Sequence, residues 1–338
     1  MSIVAELLQY LPLRALAAAM HMFPPRPNLR TAGLAADCCA RAWPRRIARS
    51  IENLRIAFPE WTDARRAEVA AESLRHWFRF AAVDVLATPR RVTPLAWPRH
   101  VGIGDISRGL EPLLAARPTI FITGHFGNWE LLGYTLATIG FPLHAVARPL
   151  DNRYLNRWVL GVREARGMRI ITKWGATPIL QAALERGGAV GFIADQNAGD
   201  DGIFVPFFGR LASHYKAIGL LAMRYETPIV TGCALRTGHD LRCRLEVTDV
   251  IEPSEWTDAP DPLFLITARY ARAMEAMVRL APEQYLWLHR RWKSRPRFER
   301  DGRALPAAMR RKLESLPWMT DEAIRRIERD SAGSAAAT

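Results

Sequence analysis

The sequence predicts an α/β fold: a mixed, mostly parallel sheet flanked by helices on both faces and preceded by N-terminal helices. Three observations carry this. From Pro118 onward, short apolar runs alternate with segments of helical period, the rhythm of strand–helix–strand units. Runs such as 119–123 and 189–194 carry no charge and are almost wholly apolar, as strands covered on both faces are. At 228–250 two such runs meet across a turn at 237–240, which adds an antiparallel pair.

The elements follow in order. The first 23 residues are apolar but carry Glu6, Gln9, Pro12, Arg14 and His21, so a clean spanning run of roughly 18–20 apolar residues is not expected. No positive segment precedes them, as a secretory signal would need. Ile3, Val4, Leu7, Leu8 and Leu11 share a helical face that Leu13, Leu16, Ala17 and Met20 continue, a stripe that serves an interfacial anchor or a helix packed on the domain equally well. Pro24, Pro25 and Pro27 break the chain before a basic run, Arg41, Arg45, Arg46 and Arg49. Thr62 caps a helix in which Ala70, Leu74, Trp77, Phe78, Ala81 and Val85 recur at helical spacing, and which should stop before Pro89. A short strand near 101–103 and a helix near 107–116 follow in a proline-rich stretch. Strands are expected at 119–123, 143–147, 169–172, 189–194, 228–235 and 241–250, with helices at 128–139, 151–166, 176–186, 213–225 and 261–280. From Ser331 the chain reads as an unstructured low-complexity tail. The expected division is an N-terminal membrane-associated helical region (1–90), an α/β domain (91–300) and a basic helical tail (301–338).

With 338 residues, 49% hydrophobic and 24% charged, the chain has a globular composition, which excludes disordered, collagen-like and disulfide-scaffold classes. The net charge is +13, and all but four of the cations are arginine. Arginine matches phosphate geometry, so anionic partners are expected: phospholipid headgroups, phosphorylated substrates, an acidic carrier protein or nucleic acid. No nucleic-acid motif supports the last. Ten cations between 290 and 312, with the run at 41–49, offer a surface for anionic lipid or an acidic carrier. Four cysteines without a CxxC pattern, two of them adjacent, read as reduced and cytosolic.

The segment that carries chemistry is TIFITGHFGNWELLG, residues 119–133. A buried strand runs into a glycine-containing loop and then a helix, so His125 lies beyond the strand's carboxyl end, where ligands of open α/β sheets collect. Glu130 falls in the first helical turn, where the dipole favours an anion. A tight loop would bring carboxylate and imidazole together, fixing the tautomer and leaving the other nitrogen as a base. Gly124 and Gly127 let the loop bend and a substrate approach. No G-x-S-x-G, H-E-x-x-H, P-loop or dinucleotide fingerprint is present, and neither the cysteines nor the acidic loop at 195–202 has metal-ligand spacing, so no metal or cofactor is expected.

His125 and Glu130 in HFGNWE resemble the H-x4-[DE] signature of the lysophospholipid and glycerophosphate acyltransferase superfamily, and with Asn128 and Trp129 they resemble its lipid A biosynthesis (lauroyl and myristoyl) acyltransferases. Further blocks in the same order resemble that family: IENLRIAFPE from Ile51, ARPLDN from Ala147 with Arg163 and Gly167, ADQN from Ala194 with FVPFFG from Phe204, and PEQYLWLHRRWK from Pro282. The departures are the short, broken anchor and Ser213-His-Tyr-Lys216, where small residues are expected. The resemblance implies a glycerophosphate acyltransferase-like fold and transfer of a fatty acyl group from acyl–acyl carrier protein to a hydroxyl of a lipid A precursor or related glycolipid. It places the enzyme at the cytoplasmic face of the inner membrane, peripheral or N-terminally anchored, without cofactor or metal. His125 would be the base and Glu130 its orienting partner, with Arg148, Asp195, Gln196, Asn128 and Gly127 as substrate-binding candidates. Phe204, Phe207 and Phe208 either line an acyl tunnel or belong to the core. The alternatives are another glycolipid or lysophospholipid acceptor, an acyl-CoA donor, or a non-catalytic basic membrane-binding protein.

Overall fold

The computed structural model describes residues 2–172 and 174–335, except the side chains of 332–335. The apolar runs form β1 (Val101–Ile103), β2 (Thr119–Thr123), β3 (Leu143–Ala147), β4 (Arg169–Thr172), β5 (Ala189–Ile193), β6 (Ile203–Phe207), β7 (Arg210–His214), β8 (Ile229–Arg236) and β9 (Cys243–Ile251). Seven of them make one sheet in the order β1-β9-β8-β2-β5-β3-β4. All its pairs are parallel except β8–β9, the antiparallel pair the sequence predicts.

The crossover helices are α6 (Ser107–Leu114), α7 (Trp129–Thr138), α8 (Arg153–Glu164), α9 (Ala176–Glu185) and α10 (Lys216–Tyr225), followed by the long α11 (Pro262–Leu280). Helices α1 (Ile3–His21), α2 (Pro25–Ala42), α3 (Pro44–Ala57), α4 (Asp63–Arg79) and α5 (Val85–Arg91) precede the sheet, and α12 (Arg297–Arg300), α13 (Ala307–Glu314) and α14 (Asp321–Ala335) follow it. Side chains alternate across the central strand. Ile120 and Ile122 enter the larger core cluster, with Leu180 of α9 and Met274 of α11, while Phe121 packs on the opposite face with Leu136 of α7. Leu54 and Val69 from α3 and α4, and Leu313 and Ile324 from α13 and α14, join that larger cluster.

Four local expectations are corrected. Pro12 does not break α1, because a helical proline removes one N–H and the neighbouring turns keep theirs. The resulting 19-residue helix has mean hydropathy 1.3, long and apolar enough to cross a membrane by length and composition. It lies along α8: Arg153 pairs with Glu6, Asn152 donates to the Glu6 carbonyl, and Tyr10 packs on Tyr154 and Trp158, while Ile3, Val4, Leu8 and Leu11 stay exposed. Secondly, the helix after Thr62 passes Pro89. A π turn at Phe80–Asp84 absorbs one residue and the chain continues as α5 to Arg91. Thirdly, residues 203–214 form a β-hairpin and the next helix starts only at Lys216, because Phe208 and Gly209 both take positive φ, as a two-residue hairpin turn needs. Fourthly, α14 extends to Ala335. Ile324 and Ile327 bury its inner stripe, and the alanines beyond Ser331 favour helix; residues 336–338 of the expected tail lie outside the described residues.

A buried ion pair ties the N-terminal helices to the sheet. Asp84, at the end of the π turn, is fully buried against Arg236 at the end of β8. Asp84 also accepts from the Asn128 amide (3.2 Å), and Arg236 Nη1 donates to the Asp240 carbonyl (2.9 Å). Removing one member of such a pair leaves the other charge buried without compensation. Asp84→Ala is therefore expected to cost about 3–5 kcal/mol in urea unfolding; an unchanged midpoint would show that the pair is not a structural tie.

Candidate active site

The site grows out of strand register. β2 and β5 pair in parallel, Thr123 opposite Ile193, so the residues two places beyond each strand, His125 and Asp195, also face each other. Asp195 accepts twice from His125: Nδ1–H to Oδ1 at 2.8 Å and the backbone N–H to Oδ2 at 2.9 Å. The carboxylate is fully buried, whereas the imidazole keeps 18% of its surface and an unbonded Nε2. Burial pushes Asp195 up, but the charge and hydrogen bonds of His125, helped by His289, outweigh it and hold the carboxyl well below the usual range. Asp195 therefore fixes the imidazole tautomer and lies ready to balance an imidazolium.

Glu130 does not hold His125. It lies in the first turn of α7 and faces α8, where Arg163 Nε grips both carboxylate oxygens (3.0 and 2.9 Å). The orienting carboxylate comes from the neighbouring strand instead, because register brings Asp195 directly opposite. Arg148 is exposed and pairs with Asp151 at 3.3 Å; β5 lies between β2 and β3, so the strand that carries Arg148 is not the neighbour of the strand that leads to His125. Gln196 is half-buried next to Asp195.

Gly127 and Asn128 serve the loop itself. Gly127 has φ +57°, and a Cβ there would run into the Ala234 carbonyl of β8. Its N–H donates to the Gln284 carbonyl (3.1 Å) and its carbonyl accepts from His76 Nε2 (3.0 Å). The Asn128 side chain caps α7 through the Leu131 N–H (2.9 Å). Phe207 and Phe208 are fully buried in the core, with Phe204 packed against them.

His289 is the functional candidate that sequence reasoning missed, although it stands inside the block from Pro282. Its ring lies 4.8 Å from that of His125, edge to face, and its Nε2 is buried without a hydrogen bond. Burial pulls it down to about 4 against Asp195, so it is neutral at physiological pH. Asn53 fixes this segment by donating to the Trp287 and His289 carbonyls, both at 2.7 Å. Among the described residues, the ligand atoms of His125, Asp195 and His289 lie within 4.8 Å of one another, a donor set that suits a divalent ion as well as proton transfer. An apolar slot of about 90 Å³ opens between β2, β5 and α7, lined by Ile122, Trp129, Gly133, Met168 and Phe192, with Glu130 and Arg163 also in its wall. Of the ten cations at 290–312, Arg291 is fully buried on the Ser213 carbonyl and His214, and Arg295 is largely buried against Glu299, so these two leave the proposed basic surface; Arg297, Arg300, Arg303, Arg310 and Lys312 stay more exposed, each in an ion pair.

Comparison with known proteins gives a match to the family described as bacterial lipid A biosynthesis acyltransferase over residues 6–294. The chain is similar to the lipid A biosynthesis palmitoleoyltransferase of Escherichia coli (strain K12), 28% identical over 286 residues, covering 80% of this chain and 87% of the relative. It is similar to the lipid A biosynthesis lauroyltransferase of the same organism, 24% identical with the same coverage. A lipid A biosynthesis acyltransferase of Haemophilus influenzae is 23% identical over 71% of this chain and 73% of its own length.

The buried histidines set a pH dependence. Burial holds His76 down at about 3, His289 at about 4 and His214 well below its ordinary value. Each binds its proton more readily in the unfolded chain, so the stability it contributes is complete above the unfolded value near 6.5 and drains as pH falls towards the folded one. Unfolding free energy should drop between about pH 6.5 and pH 4, by up to about 1.4 kcal/mol per pH unit for each histidine. A calorimetric series that stays flat across that interval would contradict their burial in the neutral form.

Proposed function

This chain belongs to the bacterial lipid A biosynthesis acyltransferase family, and on that premise we propose that it transfers a fatty acyl chain from acyl–acyl carrier protein to a hydroxyl of a lipid A precursor. It is an acyl-transferring enzyme of lipid A biosynthesis. The observation that carries the mechanism is the His125–Asp195 pair at the carboxyl ends of two adjacent parallel strands, with Nε2 left unbonded.

His125 Nε2 takes the proton of the acceptor hydroxyl as its oxygen attacks the thioester carbonyl. Asp195, bonded to Nδ1, balances the imidazolium. The tetrahedral oxyanion needs a donor, and neutral His289, protonated on its unpartnered Nε2, supplies one beside the reacting carbon. Collapse breaks the C–S bond, and the leaving thiolate recovers the proton from His125. No acyl-enzyme is formed. Glu130 acts through Arg163, bracing α7 against α8 at the slot that takes the start of the acyl chain. Gln196, next to Asp195, is the candidate for substrate contact, while Gly127 and Asn128 hold the loop and Arg148 is left to its exposed pair with Asp151. The enzyme works at the cytoplasmic face of the inner membrane, held by the exposed apolar side of α1 and by arginine-rich surface.

Variants, donor preference and membrane attachment each test this. In the purified enzyme, His125→Ala should lower turnover about 10²–10⁴-fold without loss of fold, and Asp195→Asn should lower kcat on a similar scale. Glu130→Gln should act chiefly on KM for the acyl donor, because it loosens the slot and not the base; near-normal kcat in Asp195→Asn would sink the assignment. Acyl–acyl carrier protein should be used far faster than acyl-CoA, and equal rates would overturn the donor. A chain beginning at Pro24 should lose most sedimentation with anionic vesicles yet act on detergent-dispersed acceptor; unchanged sedimentation would remove α1 from the attachment.

A further inference from the structure

A second cavity, lined by charged side chains, lies at the turn of the β6–β7 hairpin, between α11 and α14. It measures about 420 Å³, within the roughly 300–1,000 Å³ of small-molecule sites. Arg272 and Arg279 of α11 and Arg326 and Arg329 of α14 line it, against Glu275 and Glu322. The guanidiniums are presented unusually. Arg272 lies over the Trp318 ring at 5.1 Å, and Arg279 over Phe58 and Phe208 at 5.3 and 5.0 Å. Stacking fixes the plane of each guanidinium while leaving its N–H edge unused. Among the described residues neither has a carboxylate within ion-pair distance, whereas Arg269, on the same helix, carries both Asp249 and Glu255. Glu275 is spent on the Phe208 N–H (2.7 Å), and burial pushes its carboxyl up against the arginines around it. Arg326 braces the wall through the Ile56 and Phe208 carbonyls. The hairpin sets the separation from the catalytic pair. Its open end is bonded to the loop after Asp195, Ala198 N–H to Ser213 carbonyl, and the cavity lies at its turn five residues away, about 17 Å in extended strand.

We propose that this cavity is a binding site for a phosphate dianion, a phosphomonoester or diphosphate, distinct from the His125–Asp195 site and independent of which acyl donor the enzyme uses. Planar N–H edges held in place match phosphate oxygens bidentately, and four guanidiniums exceed the two carboxylates present. The group can come from a lipid headgroup or from a soluble phosphoanion.

The experiment is calorimetric titration of the full chain with pyrophosphate and with inorganic phosphate at low ionic strength. Saturable binding is expected, weakened about tenfold for each lost charge-assisted contact in Arg272→Gln/Arg279→Gln, and unchanged in His125→Ala. Arg329→Gln, on the exposed face of α14, serves as a second variant that leaves the stacked pair intact and should also weaken binding. Flotation with phosphatidate against phosphatidylcholine vesicles assigns the source. Arginine-dependent flotation identifies a lipid headgroup, and pyrophosphate binding with arginine-independent flotation identifies a soluble anion. Absence of saturable binding, or equal affinity in the stably folded double variant, overturns the proposal.

Discussion

The loop that carries His125 depends on a buried charge pair outside the His125–Asp195 site. Arg236 and Asp84 are buried together behind it, and both are tied to the loop or its supports. Asp84 holds the Asn128 amide. Gln284 exchanges two hydrogen bonds with the Arg236 backbone, at 2.9 and 3.0 Å, and accepts from the Gly127 N–H. Asn128 N–H reaches the Ala234 carbonyl at 2.8 Å. A loop at a sheet's end is usually the mobile part of a fold; here its backbone groups are answered from β8 and from the segment before Trp287, so His125 is presented by a rigid support.

On that support two carboxylates divide the work. Asp195 is buried and bonded to His125, while Glu130 is bonded to an arginine from another helix. The separation has an electrostatic logic. Two anions sharing one imidazole would raise each other's proton affinity, whereas a single buried carboxylate matched to a single imidazole stays ionised. Neutral His289 then adds a polar edge to the site without a second positive charge that would oppose protonation of His125.

Much of this was legible in the sequence. β2, β3 and β4 begin and end where the sequence places them, and β2, buried along most of its length at the middle of the sheet, is the clearest of the three. The β6–β7 hairpin was not, since Pro206 sits inside β6 and its Phe208–Gly209 turn lacks the usual Asn-Gly signal. His125 could be found from its place after a buried strand. Its partner could not, because Asp195 stands 70 residues away and becomes a neighbour only through the register of β2 with β5. Glu130 was the nearer carboxylate in sequence and drew the role to itself. His289 was visible only as part of a motif block, with no local feature separating it from a surface histidine.

The π turn at Phe80–Asp84 gives the molecule a dependence on counting. A π turn is an α-helix holding one residue too many. Deleting any one residue there would relax the segment into ordinary helix with its backbone ladder intact, and local energetics would favour it. The helix before the gap would then turn about 100° relative to everything after it, and α4 could not keep its packing while Asp84 kept its arginine. Substitutions along this helix are graded by side chain, but a change in its length is all-or-none, so the surplus residue is selected for its presence rather than for its chemistry.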